Sequence, residues 1–88
     1  MIEQQVANLV RLEIANATLT GVNPESIGSE ATLSGDLGLD SLDRIEIAME
    51  IETRLGLEDE SMEALNDCET VSDVVTRAWN LLSEGGEV

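Results

Sequence analysis

One stretch of the sequence decides the fold, residues 40–56, which read DSLDRIEIAMEIETRLG. Four of its apolar residues fall within about 100° of arc when the stretch is drawn as a helix: Ile47, Ala48, Ile51 and Leu55. Asp40 or Ser41 can cap the start of such a helix, and Gly56 can end it. The pattern therefore predicts a helix over residues 41–55 whose apolar face packs into a core.

The opposite face of this helix carries two apolar side chains, Leu42 and Met49. Four acidic or polar residues surround them: Asp43, Glu46, Glu50 and Thr53. Apolar side chains inside an acidic rim are typical of an interface with a partner. Single exposed Leu or Met residues are also common on ordinary surfaces, so the pattern by itself leaves both interpretations open.

Helical spacing continues on both sides of this stretch. Residues 2–16 predict a first helix from five apolar positions: Ile2, Val6, Leu9, Val10 and Ile14. A last helix, capped by Thr70 or Ser72, is predicted from six more: Val71, Val74, Val75, Ala78, Leu81 and Leu82. Between Asp59 and Asn66, one or two irregular helical turns are predicted from Met62, Leu65 and Cys68. No stretch alternates as a strand does, so the predicted fold class is all-α, a bundle of three longer helices and one short one.

Residues 18–38 separate the first two longer helices and are rich in Thr, Gly, Asn, Pro and Ser. This composition predicts a long loop. Four isolated apolar residues are expected to attach the loop to the core: Val22, Ile27, Leu33 and Leu37. A structureless loop of about twenty residues is unusual in a compact domain and generally serves a function. The whole chain, residues 1–88, has room for one domain, and its last residues from about 84 are expected to be disordered.

The charge balance restricts the partners. Four Arg and 19 Asp plus Glu give a formal net charge of −15, which argues strongly against phosphate-driven binding to nucleic acid or to an anionic membrane surface. Basic protein partners are expected instead. The chain contains no His, so a Ser-His-Asp or Cys-His catalytic set and the usual zinc sites are excluded as well.

The sequence favours a reducing, cytoplasmic setting. Cys68 is the single cysteine and cannot form an internal disulfide. The first residues, MIEQQV, have neither the basic segment nor the apolar run of a secretory signal. No stretch approaches the ~18 consecutive apolar residues that span a bilayer. We therefore expect a small soluble protein without stable membrane insertion.

The segment that carries the most chemical information is residues 36–43, DLGLDSLD. It places Ser41 at the junction between the long loop and the helix of residues 41–55. A phosphate on this hydroxyl would meet the free backbone N–H groups of a helix start, where the helix dipole and hydrogen bonding both favour an anion. The arrangement suits a phosphoserine-type linkage, and it also suits an ordinary N-cap serine followed by an acidic first turn.

The same segment, followed by Asp43, Ile45, Glu46, Ile47 and Met49, resembles the attachment segment of acyl carrier proteins. The resemblance covers nearly the whole chain, since residues 2–14, 59–65 and 70–71 are similar to the first, third and fourth helices of that family. It implies a four-helix carrier bundle that is not an enzyme. It also implies a 4′-phosphopantetheine arm, derived from coenzyme A and joined to Ser41 by a phosphodiester, whose terminal thiol carries acyl groups as thioesters.

The resemblance further implies partners and a place for the acyl chain. A phosphopantetheinyl transferase and acyl-transferring or synthase enzymes with basic patches would dock in turn on the acidic surface of a monomer. The expected contact residues are Asp36, Asp40, Leu42, Asp43, Glu46, Met49, Glu50 and Glu52. The helices could part to shelter an acyl chain, with an expected lining of Ile45, Ile47, Ile51, Leu65, Cys68 and Val71. For each residue taken singly, ordinary solvation or core packing is the alternative role.

Arg44 departs from the family pattern, because these proteins more often have a small or neutral residue there, and it brings a positive charge close to the arm. Leu33 and Leu55 stand where the family frequently has Phe.

The pathway stays open between fatty-acid, polyketide and specialised lipid synthesis. Two alternative functions are an aminoacyl or peptidyl carrier of a nonribosomal pathway and an unmodified acidic adaptor. A metal-binding module would use Asp36, Asp40 and Asp43 as its ligands. It is disfavoured, because the spacing of these residues is not that of an EF-hand.

Overall fold

The structure, a computed structural model, describes residues 2–18 and 23–84. It contains three α-helices: α1 (Glu3–Ala17), α2 (Ser41–Leu55) and α3 (Val71–Glu84). Two short 3₁₀ turns, Pro24–Ser26 and Glu63–Leu65, lie in the connections. Over the described ranges the sole extended pairing is an isolated antiparallel bridge between Thr32 and Thr70. The predicted all-α fold class is thereby confirmed, with three helices.

Helix α2 has the predicted bounds, and its ends have clear causes. Asp40 is the N-cap, because its Oδ1 accepts the Asp43 N–H at 2.8 Å and the Asp43 Oδ2 accepts the Asp40 N–H at 3.2 Å. Such a reciprocal pair satisfies two N–H groups that a helix start leaves without partners. At the other end Gly56 has a φ of 69°, a left-handed conformation that favours glycine, and its N–H returns to the last turn.

Helix α1 is shifted by one residue from the predicted range and buries a charged side chain. Glu13 is only 5% exposed, and its Oε2 lies 2.5 Å from Nε of Arg54 on α2. Among the described residues no group donates a hydrogen bond to that oxygen, so the contact is an ion pair. Glu13, which lies among the apolar residues of α1, therefore links α1 to α2, because a buried charge requires an opposite charge beside it.

The predicted short helix before α3 is not confirmed. Only one 3₁₀ turn forms there, Glu63–Leu65, and four residues that are not glycine have positive φ: Glu60, Glu63, Ala64 and Leu65. A left-handed backbone interrupts the hydrogen-bond ladder of an α-helix. The apolar set that prompted the prediction does face the core, since Met62, Leu65 and Cys68 are all buried.

The segment between α1 and α2 is attached to the core as predicted, at the positions that the structure describes. Ile27 and Leu33 are buried and Leu37 is partly buried, whereas Val22 lies outside the described residues. Leu33 N–H donates to the Glu69 carbonyl at 2.8 Å, and Val71 N–H donates to the Ala31 carbonyl at 3.1 Å. These bonds hold the loop against the start of α3.

Helix α3 begins with a second capping pair. Thr70 Oγ1 accepts the Asp73 N–H at 3.2 Å, and Asp73 Oδ2 accepts the Thr70 N–H at 3.1 Å. Of the two predicted caps, Thr70 is therefore the one used, and Ser72 instead donates its N–H to the Ser29 carbonyl. The predicted disordered tail falls on residues 85–88, beyond the last described position. No helix in the described ranges is long and apolar enough to cross a membrane.

Candidate functional site

Ser41 is brought to the surface by the turn that precedes α2. Gly38 has a φ of 65°, which turns the chain in a way that strains most other residues. Leu39 is buried, and its N–H donates to the Leu33 carbonyl at 2.9 Å. Because Leu39 is anchored in the core, the chain emerges from the core at Asp40, and the exposed Ser41 becomes the first residue of α2.

The Ser41 hydroxyl is left available for chemistry. Asp40, and not Ser41, caps the helix, so the serine side chain is not needed to hold the helix start. Within residues 2–18 and 23–84 no hydrogen bond engages the Ser41 hydroxyl, and no acceptor is bonded to the N–H groups of Ser41 or Leu42. An exposed hydroxyl beside two free N–H donors at the positive end of a helix fits a phosphate ester. The residues present therefore fit a phosphate-linked group at this serine.

A groove runs from below Ser41 along the same face of α2. At about 100° per residue, Ser41, Ile45, Ala48 and Glu52 fall within about 60° of arc. The groove has a volume of about 470 Å³ and lies between α2 and the segment of residues 60–66. Its lining combines apolar and acidic side chains: Ile45, Ala48, Met49, Glu52, Glu60, Glu63, Ala64 and Asn66. The partly apolar groove thus begins at Ile45, one helical turn after Ser41.

The predicted acyl lining is divided between this groove and the core. Five of its six residues are packed in the core with at most 3% of their surface exposed: Ile47, Ile51, Leu65, Cys68 and Val71. Ile45 is 43% exposed and lines the groove instead. Ile45 is turned away from the centre of the apolar arc of α2, toward residues 60–66, so the six residues do not form one continuous lining here, and their role toward an acyl chain stays a prediction.

Around Ser41, α2 presents a strip of exposed apolar side chains with acids beside them. Leu42 is 61% exposed and Met49 58% exposed, with Ile45 between them. We call Leu42, Ile45 and Met49 the apolar strip. Glu46 and Glu50 are exposed on the same helix, while Asp36, Asp40 and Asp43 each accept a backbone N–H near its start. Ile45 was not predicted as a member of the strip, although its spacing of three from Leu42 and four from Met49 is helical.

Glu52 does not belong to this surface, so its prediction as a contact residue is wrong. It is only 4% exposed. Its Oε1 accepts the Glu60 N–H at 3.2 Å, and its Oε2 accepts the Met62 N–H at 2.9 Å. The irregular segment 60–62 has no helix to satisfy these N–H groups, and the carboxylate of Glu52 takes that role. A signal was present in the sequence, since Glu52 follows Ala48 by four residues on the inner side of α2.

The two other groups of chemical interest are Cys68 and the acids near Ser41. Burial raises the pKa of the Cys68 thiol above its usual value, so at neutral pH the thiol is protonated and a poor nucleophile. Among the described residues no three Cys, Asp or Glu side chains are grouped so that they could hold a metal ion. Neither group therefore competes with the Ser41 hydroxyl as the reactive group of this surface.

A small helical domain that presents an unbonded serine at a helix start, with acids around it, has the arrangement of a carrier domain. Residues 11–78 match a family model described as phosphopantetheine attachment site. Because the match spans more than half of the chain, the protein belongs to this family, that of the acyl carrier proteins and their relatives. The cofactor of the family is a covalently attached 4′-phosphopantetheine.

Two relatives are similar to the chain over about two thirds of its length or more. It is 38% identical over 71 residues to the meromycolate extension acyl carrier protein of Mycobacterium leprae, covering 78% of this chain and 59% of that protein. It is 37% identical over 59 residues to a polyunsaturated fatty acid synthase polypeptide of Thraustochytrium sp., covering 67% of this chain and 2% of that polypeptide. The chain thus spans less than two thirds of the length of either relative.

Proposed function

We propose that this chain is a non-catalytic acyl carrier domain, residues 1–88, that carries its phosphopantetheine arm on Ser41. The main support for the proposal is that two neighbouring residues at the start of α2 have different roles. Asp40 caps the helix, and the adjacent Ser41 hydroxyl is exposed and unbonded among the described residues. If Ser41 were the cap, its hydroxyl oxygen would accept a hydrogen bond from a backbone N–H of the first turn. This serine is free to form an ester.

In the loading reaction the Ser41 hydroxyl oxygen forms the new bond to phosphorus. The bond that breaks is the pyrophosphate linkage of coenzyme A, so adenosine 3′,5′-bisphosphate leaves and the hydroxyl proton passes to a base. That base belongs to the phosphopantetheinyl transferase, since this chain has no His and Asp40 and Asp43 are occupied by capping. When bound, the arm supplies a terminal thiol that holds acyl groups as thioesters.

The apolar groove supports acyl cargo over aminoacyl or peptidyl cargo. Ile45, Ala48 and Met49 give it apolar surface on the helix face below Ser41, where a hydrocarbon chain would lose its contact with water. The names of both relatives also concern fatty acyl products, a polyunsaturated fatty acid and a meromycolate. These observations favour fatty-acid or specialised lipid synthesis, although polyketide cargo would use the same arm and serine.

We further propose that partner enzymes with basic patches dock on the apolar strip and the acids that flank it. Glu46 and Glu50 are exposed beside Leu42 and Met49. Charge at the rim speeds encounter, while a small apolar contact is sufficient for brief, sequential binding. We also propose that the domain is a monomer in the cytoplasm, where the single buried thiol of Cys68 stays reduced.

Acyl loading tests the proposal. The unmodified protein is incubated with an acyl-coenzyme A and a broad-specificity phosphopantetheinyl transferase, and its intact mass is recorded before and after treatment with neutral hydroxylamine. We expect one acyl-phosphopantetheinyl addition, of which hydroxylamine removes only the acyl part, and no addition to Ser41→Ala. Failure of the folded wild-type protein to load would contradict the proposal. It would favour the unmodified adaptor if partners still bound to Ser41→Ala.

A further inference from the structure

Arg44 stands apart from the other three arginines of the chain. Arg11 donates to the Ile27 carbonyl and to Ser29, Arg54 pairs with Glu13, and Arg77 pairs with Glu63 and Asp67. Arg44 is half-buried, yet within residues 2–18 and 23–84 no hydrogen bond or ion pair engages its guanidinium. Three arginines hold the fold together, and the fourth has no structural partner there.

The position of Arg44 places its charge next to Ser41. Residues three apart on a helix are neighbours, with Cβ atoms roughly 5–6 Å apart. Helical side chains also lean toward the N-terminus, so the guanidinium of Arg44 is carried back toward the turn of Ser41. Arg44 also acts electrostatically on the Cys68 thiol, partly opposing the rise of its pKa by burial. Arg44 precedes Ala48 by four residues, and Ala48 lines the groove between α2 and residues 60–66, so the helical spacing places Arg44 on the side of α2 that faces this segment.

The acids around Ser41 are held where they would repel a phosphodiester. Asp40 and Asp43 bind each other's backbone N–H groups in the capping pair, and Asp36 Oδ2 accepts the Thr32 N–H at 2.9 Å. These bonds restrain the three carboxylates, so each keeps its negative charge near the start of α2. A phosphodiester carries one negative charge, and guanidinium binds phosphate oxygens through two parallel N–H groups.

We propose that Arg44 binds the phosphodiester of the arm and holds the first atoms of the arm on the side of α2 that faces residues 60–66. This proposal rests on the assignment of the arm to Ser41. Arg44 is a positioning residue, because it neither carries the acyl group nor touches the thioester. It offsets the repulsion from Asp36, Asp40 and Asp43 and restricts the directions in which the arm leaves the helix.

Phosphorus NMR of the arm-bearing protein tests the role of Arg44 directly. Wild type, Arg44→Gln, Arg44→Lys and Asn80→Asp are each fully converted, as checked by intact mass. Asn80 is exposed on α3, and its change lowers the net charge by one as Arg44→Gln does. We expect the phosphorus resonance of Arg44→Gln to differ from that of wild type, with Arg44→Lys between them and Asn80→Asp matching wild type.

Salt and the arginine side chain give two further readouts. Raising the salt from about 0.05 M to about 0.5 M should move the wild-type resonance toward that of Arg44→Gln, because salt screens exposed ion pairs. In ¹⁵N-labelled protein, arm attachment should shift the Arg44 Nε–H signal. Identical phosphorus resonances in loaded wild type and Arg44→Gln at both salt concentrations would overturn the role of Arg44 alone. Absence of the arm from wild type would overturn the Ser41 assignment as well.

Discussion

At the scale of the single residue, Asp40 and Ser41 have different roles at the start of α2. Sequence reasoning placed the cap at Asp40 or Ser41 and could not separate them, since both residue types are good caps. The structure assigns capping to Asp40 by its bond to the Asp43 N–H. The choice depends on the preceding turn, where Gly38 and the buried Leu39 fix how the chain enters the helix. Those contacts are tertiary and are not encoded in a local pattern.

This assignment predicts unequal costs of two alanine substitutions. Asp40→Ala removes the acceptor of the capping bond and should lower the free energy of unfolding by about 1 kcal/mol. Ser41→Ala removes a hydroxyl that has no partner among the described residues, and should change it by less than ~0.5 kcal/mol. Urea unfolding of the unmodified proteins measures both. A larger loss for Ser41→Ala than for Asp40→Ala would contradict the assignment.

At the scale of the element, regular helices were predictable and the irregular segment was not. The bounds of α2 follow from apolar spacing, a capping acid and Gly56, all of which lie within the element itself. Residues 60–65 adopt positive φ at four positions because contacts with other elements hold them, including the bonds from Glu60 and Met62 to Glu52. The same contacts bury Glu52, which by residue type is indistinguishable from the exposed Glu50 two residues earlier.

Glu52 is therefore expected to stabilise the fold, in contrast to Glu50. Glu52→Gln turns one acceptor into a donor that faces a backbone N–H, which should cost roughly 1–3 kcal/mol in the free energy of unfolding. Glu50→Gln, an identical chemical change at an exposed position, should stay within ~0.5 kcal/mol. Chemical denaturation compares the two. Equal effects would show that Glu52 is not the structural acceptor described here.

The capping pair of α3 predicts a dependence on pH. Backbone N–H groups of Glu69 and Thr70 bind the Asp73 carboxylate and hold its pKa below the usual value. A depressed pKa contributes stability above the unfolded pKa, near 4, and this contribution is lost as the pH falls through the folded pKa. The melting temperature of Asp73→Asn should be below that of wild type at pH 7, and the gap should close toward pH 3. A gap that is constant between these pH values would contradict this role.

At the scale of the whole molecule, the charge was the most informative property of the sequence. A net charge of −15 by itself argues against binding to nucleic acid and to anionic membranes. The resemblance around Ser41 then identified the family, and the match over residues 11–78 agrees with it. The acyl lining could not be predicted in detail, because a groove beside α2 depends on how the irregular segment 60–66 lies against it.

Docking through the acidic face of α2 predicts a local effect of charge reversal. Glu46→Lys should slow modification by the transferase several-fold at low salt, and the difference should shrink as salt screens the charges. Glu30→Lys makes the same change in net charge in the loop before α2, at another exposed position, and should have a weaker effect. Initial rates of arm attachment at two salt concentrations measure this. Equal slowing by both variants would point to net charge rather than to docking on α2.

The central claim is that Ser41 bears the arm, and the most direct measurement locates the arm on the chain. Unmodified protein and Ser41→Ala are treated with coenzyme A and a broad-specificity transferase, digested, and analysed by tandem mass spectrometry. We predict one phosphopantetheine per wild-type chain, on the hydroxyl of Ser41, and none on Ser41→Ala. An arm on any other residue, or an arm that persists in Ser41→Ala, would contradict the account.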